Sequence, residues 1–314
     1  MNQRLARAWK LQKKARNYLV AQILFAILAL LRRFPAERGL AFADRLARWI
    51  GPWTPRHRLA VENLRAAYPE KSEEWVRETA VANWGQMGRV AAEYVFLDAL
   101  FDFDPSQPPG TGRVEVDGIE IFEQLRDSTR PTIFFTAHAG CFELLPICAA
   151  TFGLEVTALF RQPNNRYIAR EVQRTRRTHS GKLVPSKAGA AWALAGVLQR
   201  GGHVGMLVDQ KFAKGRLGTF FGRPCRTNPL LAKLARQFDC DVHPARSIRL
   251  PNGRYRLELQ PKLDLPRSEN GDIDIDATCQ LLNDVVEGWV REHPEQWMWF
   301  HRRWQVEPKA RPAD

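Results

Sequence analysis

Paired cysteines are missing from this 314-residue chain. It has five, Cys141, Cys148, Cys225, Cys240 and Cys279, an odd number with no Cys-x-x-Cys spacing. That argues against a disulfide framework and against a zinc site, and it suits a reduced compartment. Acidic residues are in deficit: 34 Asp and Glu against 47 Lys and Arg leave a net charge of +13. The partners of such a chain are expected to be anionic: nucleic acid, anionic lipid, phosphorylated substrates or acidic carrier proteins. There is no internal repeat and no low-complexity tract. Apolar residues make up 45%, so a globular interior is expected, with length for one large core or two small ones.

The amino terminus shows both deficits at once. Residues 1–16 carry Arg4, Arg7, Lys10, Lys13, Lys14 and Arg16 and no acid, and residues 17–31 carry no charge at all. Fifteen helical residues span about 22 Å, short of a hydrocarbon core of roughly 30 Å. Arg32-Arg33-Phe34-Pro35 stands where a signal peptide would need small residues for cleavage. The run therefore reads as a membrane anchor, a short span or a helix lying in the interface. Basic residues on both flanks suit anionic headgroups and leave orientation open. A buried core helix is the soluble alternative.

Three helices are predicted next. Residues 36–51 are amphipathic and stop at Gly51-Pro52. Residues 55–67 end before Pro69. Residues 72–100 open on Ser72 with Glu73 and Glu74 in the first turn. A Pro/Gly-rich break from Asp104 to Gly112 closes this helical part, 36–104. Strands and helices then take turns over 113–314. Strands are expected at 113–117, 132–137, 154–160, 182–185, 202–209, 241–250 and 255–261. Helices are expected at 119–127, from Cys141 through Phe152, and at 189–200, 229–238 and 276–293. This alternation predicts an α/β fold, a central mixed sheet flanked by helices.

Chemistry is expected at the carboxyl ends of such strands. His138 ends the apolar run Thr132–Ala137, and Gly140 turns the chain toward a helix that begins near Cys141. The spacing to Glu143 matters. On one continuous helix, five residues turn about 500° and leave the two side chains roughly 140° apart. With His138 on the strand end and Glu143 in the first helical turn, the carboxylate can reach back to the imidazole. Such a pair makes a general base, and free N–H groups at a helix start can receive an oxyanion. The plainer reading makes Glu143 a cap folded onto the Gly140 backbone. The pattern alone is weak, for His57 and Glu62 repeat it inside a helix with no strand before it.

Further basic and aromatic clusters follow. Arg161 falls just past the next strand, suited to grip phosphate, while Arg170 to Arg177 read as a solvated helix face. Asp209 ends an apolar strand and points to the same crevice, to bind a sugar hydroxyl, pair with Arg161, or simply make a turn. Phe220-Phe221-Gly222 and Arg223-Pro-Cys-Arg-Thr-Asn-Pro229 read as a loop lining an acyl groove or touching headgroups. The tail Pro294-Glu-Gln-Trp-Met-Trp-Phe-His-Arg-Arg-Trp304 suits a membrane interface, a sugar-stacking wall, or a segment packed on the core.

Together these segments resemble the lysophospholipid-acyltransferase-like superfamily, and more narrowly the lipid A biosynthesis (lauroyl/myristoyl) acyltransferases of Gram-negative bacteria. The resemblance is carried by the amino-terminal anchor, Asn63-Leu64 to Tyr68-Pro69, His138-x4-Glu143, Phe160-Arg161-Gln-Pro-Asn164, Gly205 to Asp209, and the Pro294–Arg303 tail. It implies an anchor over 1–35 and an acyltransferase domain over 36–314. His138 and Glu143 would take the proton from a hydroxyl of an anionic lipid A precursor. That oxygen would attack an acyl-carrier-protein thioester. Gly140, Arg161, Asn164 and Asp209 would bind or stabilise. No metal, no cofactor and no nucleic acid are expected, and the site would face the cytoplasm at the bacterial inner membrane. Where the lauroyl enzymes commonly carry a second acid after the Asp209 position, this chain has Gln-Lys-Phe. The acyl chain and sugar are thus left open. Three alternatives are an acyltransferase for another glycolipid or glycerolipid, a membrane-tethered nucleic-acid-binding module, and a metallohydrolase. The last lacks a second nearby histidine at ligand spacing.

Overall fold

A computed structural model describes residues 3–108, 110–160, 163, 165–179 and 181–304. The helices are α1 (Gln3–Leu31), α2 (Ala36–Ile50), α3 (Pro55–Ala67), α4 (Glu73–Leu100), α5 (Ile119–Arg126), α6 (Leu144–Thr151), α7 (Arg166–His179), α8 (Ala190–Gln199), α9 (Leu230–Phe238) and α10 (Ile275–Glu292). The strands are β1 (Val114–Asp117), β2 (Thr132–Thr136), β3 (Val156–Phe160), β4 (Lys182–Pro185), β5 (His203–Leu207), β6 (Arg216–Phe220), β7 (Arg223–Thr227), β8 (Asp241–Arg249) and β9 (Tyr255–Leu259).

Seven strands make one mixed sheet in the order β1-β9-β8-β2-β5-β3-β4. Every pairing in it is parallel except β8 with β9, which a short turn joins as a hairpin. A parallel sheet needs apolar strands because helices cover both its faces. The central β2, Thr-Ile-Phe-Phe-Thr, is buried through its first four residues. One core cluster lies around Ile133, Phe135, Val204 and Trp289, the other around Phe134, Leu144, Phe152 and Leu257.

The expected elements are present, with instructive differences. The Ser72 cap forms, its hydroxyl accepting from the Trp75 amide at 3.1 Å. Helix α6 starts at Leu144 rather than Cys141, so Glu143 is its cap position and not a residue of the first turn. The stretch read as a loop over 220–229 belongs to the antiparallel hairpin β6–β7, which starts at Arg216 and is turned by Phe221 and Gly222 with φ of 54° and 63°. Positive φ at both turn residues matches the twist of a two-residue hairpin. The arginine and proline content of β7 hid it. Phe220 and Phe221 are buried against Trp297, Trp299 and Tyr68 rather than open to ligand.

Helix α1 is longer than its uncharged run. Leu11–Leu31 is apolar enough over 21 residues to cross a membrane, about 31 Å of helix. Lys13, Lys14 and Arg16 sit at one end, where long side chains reach the interface. Almost all of it is exposed, which excludes the core-helix alternative.

Candidate active site

His138 lies two residues past the end of β2, and Asp209 two past the end of β5. The two strands are parallel neighbours with Thr136 opposite Leu207. Carried forward two residues, that register sets His138 opposite Asp209, both on the same face. The side chains meet, Nδ1 to Oδ1 at 2.8 Å. Oδ2 accepts the His138 backbone N–H at 3.0 Å and the Trp297 indole N–H at 2.8 Å. Burial pushes the Asp209 carboxyl up. The facing imidazole and these three donors outweigh burial and hold it at about 2. An ionised Asp209 takes the Nδ1 proton as its hydrogen bond, so the neutral ring keeps its lone pair on Nε2. The Gln210 amide nitrogen stands 3.1 Å from that Nε2. Facing a lone pair, the amide donates.

The turn after His138 depends on glycine. Gly140 has φ of 58°, and a Cβ there would lie 1.8 Å from the Ser247 carbonyl oxygen of β8. Only glycine allows this approach. The carboxyl-terminal segment then clamps the turn. The Gly140 amide donates to the Gln296 carbonyl at 3.3 Å, the Met298 amide to the His138 carbonyl at 3.1 Å, and Ala139 bridges Trp297. The Gln296 side chain pairs both ways with the Arg249 backbone, at 2.8 and 3.0 Å. Asn63 holds the Trp299 and His301 carbonyls, and Asn83 those of Glu295 and Trp297. Of the three readings of this tail, packing on the core is the one observed. Trp297, Trp299 and Arg303 are fully buried. Arg303 donates to the Arg226 carbonyl, the Thr227 hydroxyl and the Asn283 side chain, tying the hairpin beneath the site.

Glu143 is 5% exposed and accepts a hydrogen bond from the Tyr94 hydroxyl of α4. The carboxylate on the imidazole Nδ1 is that of Asp209. The first helical amides are spent: Leu144 donates to the Cys141 carbonyl and Leu145 to that of Phe142, and Pro146 has no N–H. The start of α6 therefore offers an oxyanion fewer donors than expected. Arg161 and Asn164 lie outside the described residues. Among the described residues no group of three His, Cys, Asp or Glu side chains is placed to hold a metal ion. The cysteines are buried and unpaired. Burial pushes their thiols up, to about 12 at Cys240 and about 11 at Cys279, which removes them as nucleophiles.

An apolar cleft of about 850 Å³, its open mouth included, runs between α6 and the sheet. Phe134, Ala158, Leu183, Gly205 and Leu257 wall it, and Phe142 and Glu143 of the turn belong to the same wall. The Phe142 ring meets the His138 imidazole edge-on, with centroids 5.4 Å apart. Phe142 thus stands between the cleft and the imidazole. Four contributors escaped the sequence reading: Asp209 as partner of His138, and Trp297, Gln210 and Tyr94. The equal two-residue overhang of His138 and Asp209 was the available signal, usable only once β2 and β5 are known to be neighbours.

Comparison with known proteins agrees with this architecture. Residues 8–306 match the family model described as bacterial lipid A biosynthesis acyltransferase. The lipid A biosynthesis acyltransferase 2 of Shigella flexneri is 25% identical, over 90% of this chain and 88% of its own length. The lipid A biosynthesis lauroyltransferase of Escherichia coli K12 is 24% identical over 94% and 91%, and the myristoyltransferase of the same organism 26% identical over 83% and 78%. The match spans the helical part, the sheet and the clamping tail alike: the chain belongs to the bacterial lipid A biosynthesis acyltransferase family.

Proposed function

We propose that this acyltransferase moves a fatty acyl group from an acyl-carrier-protein thioester to a hydroxyl of a lipid A precursor. The observation that carries the reading is the His138–Asp209 hydrogen bond, which leaves Nε2 as a base beside an apolar cleft. The acceptor hydroxyl displaces the Gln210 amide and gives its proton to Nε2. Its oxygen forms a bond to the thioester carbonyl carbon. The tetrahedral intermediate collapses, the C–S bond breaks, and the departing thiolate takes the proton back from the imidazolium. Asp209 holds the tautomer and steadies the charged ring. Glu143, the acid of the motif, stands in the cleft wall under the Tyr94 hydroxyl and fixes the turn that carries His138. The acyl chain lies in the cleft, whose lining is almost wholly apolar. Arg161 and Asn164 serve binding and oxyanion stabilisation, and Gly140 serves by turning the chain so that His138 faces the acceptor.

The +13 charge draws both the acidic carrier protein and the anionic glycolipid. Helix α1 anchors the enzyme in the bacterial inner membrane, with its site toward the cytoplasm where the carrier protein resides. No nucleic acid is involved. The test is to incubate purified enzyme with a series of acyl-carrier thioesters and a tetra-acylated lipid A precursor, and to weigh the product. A mass gain of one acyl group, absent with His138→Ala, is expected. Acylation of a glycerolipid in place of the lipid A precursor would overturn the substrate, and full turnover without His138 the mechanism.

A further inference from the structure

Helix α2 is turned inside out. Its buried side is narrow, made of Ala36, Gly39, Leu40 and Asp44, and Gly39 lies so close to Phe96 of α4 that a Cβ would stand 2.7 Å from the ring. Most of its large apolar side chains point away from the protein. Phe42, Leu46, Trp49 and Ile50 are exposed, Trp49 by 70%, and Trp53 in the 3-10 turn that extends the helix by 84%. Positions 42, 46, 49, 50 and 53 form one stripe at helical spacing. A soluble domain keeps such a stripe inside, and an exposed contiguous one marks an interaction surface.

Three features say what covers it. The stripe begins eleven residues after α1, the helix apolar enough to cross a membrane, so the chain is already beside a bilayer where the stripe starts. Two of its five members are tryptophan, the side chain that prefers the bilayer interface. The charges around it have one sign. Arg38 and Arg45 flank the stripe within about 60° of Phe42. On the far side of Trp53, Arg56, Lys211 and Arg302 line a recess with Leu59 and Phe300. Among the described residues none of these five cations pairs with a carboxylate. An apolar stripe with a basic rim is how a helix lies on anionic lipid.

We propose that α2 and the Gly51–Trp53 turn lie in the interface of an anionic bilayer, as a second membrane contact beside α1. The rim reaches the active site, because Lys211 follows Gln210, the residue on His138 Nε2. The contact therefore sets the catalytic cleft against the membrane plane. It does not depend on the acyl-transfer reading.

The test uses the full chain in vesicles of zwitterionic lipid, with and without added phosphatidylglycerol. Because all five native cysteines are buried, an environment-sensitive fluorophore can be placed at Trp53→Cys. Asn270→Cys, in the loop beside Asp239 at the opposite end of the sheet, is the control. The label at 53 is expected to shift to the blue and to be quenched several-fold by nitroxide lipids, more with phosphatidylglycerol, while the label at 270 stays water-like. Arg45→Glu with Arg302→Glu should remove the phosphatidylglycerol-dependent part. A label at 53 as water-like as that at 270 would overturn the proposal. So would a blue shift that appears in detergent alone and grows with protein concentration, which would make the stripe a contact between copies of the chain.

Discussion

The two sides of the turn at residues 138–143 are built by opposite rules. On one side the turn is held by directional hydrogen bonds. Asp209 accepts three hydrogen bonds, and chain segments from β5, β8 and the tail converge on His138, Ala139 and Gly140. On the other side lies an apolar cleft with few directional demands. What must hold still is pinned by hydrogen bonds from distant segments. What must admit a flexible chain is walled by side chains that ask only for burial. The sharpest way to break the first side is His138→Ala. Loss of a general base costs about 10²- to 10⁴-fold, so acyl transfer is expected to fall at least about a thousandfold while the donor still binds in the cleft. Glu143→Ala is expected to act in the same direction. Steady-state rates beside donor binding check both.

Asp209→Asn strikes the same side through its charge. An amide can present its N–H to Nδ1 and favour the wrong tautomer, so kcat should drop about 10²- to 10³-fold with KM little changed. The variant should also change how stability depends on pH. The Asp209 pKa is lowered on folding to about 2. A depressed carboxyl contributes stability above its unfolded pKa, and that contribution is lost as pH falls through the folded value. Thermal unfolding in detergent between about pH 5 and about pH 2 should show the wild type losing roughly 2 kcal/mol that the variant never had. Equal slopes for both would mean that the carboxylate is not held as described. Trp297→Phe is milder. It removes one donor to Oδ2 and keeps the ring, so kcat should fall about tenfold, the scale of one hydrogen bond to a charged group, with donor KM unchanged.

Legibility in the sequence followed the range of the interactions. Helices and strands were readable because they rest on local periodicity and on caps such as Ser72. His138 was readable because the end of an apolar strand is a place where ligands gather. The partner on its Nδ1 was not, because β2 and β5 are neighbours only in the sheet order, with His138 and Asp209 71 positions apart. Glu143 stood out for its short spacing, yet α6 begins one turn later than the pattern suggests, and its carboxylate meets Tyr94 of α4. The hairpin β6–β7 was hidden because its strands carry charge and proline and face the tail rather than a second sheet. The tail's aromatics suited the surface and the core alike, and only the assembled contacts choose the core, while the exposed Trp49 and Trp53 sit in and just past a helix whose sequence reads as ordinary amphipathic pattern.

The apolar side of the turn is tested by altering shape alone. Ala158 lines the cleft from β3. Ala158→Leu adds bulk there and touches none of the hydrogen bonds around His138. With a short acyl thioester the rate should match wild type. With the longest accepted chain it should fall about fivefold, the low side of what one misplaced methylene costs in a hydrophobic pocket. A competition assay with mixed chain lengths, read by product mass, measures the shift directly. If every chain slows equally, the substitution has disturbed the pinned side instead, and the division between a fixed base and a permissive cleft is wrong. If none slows, the acyl chain lies elsewhere and the cleft is not its site.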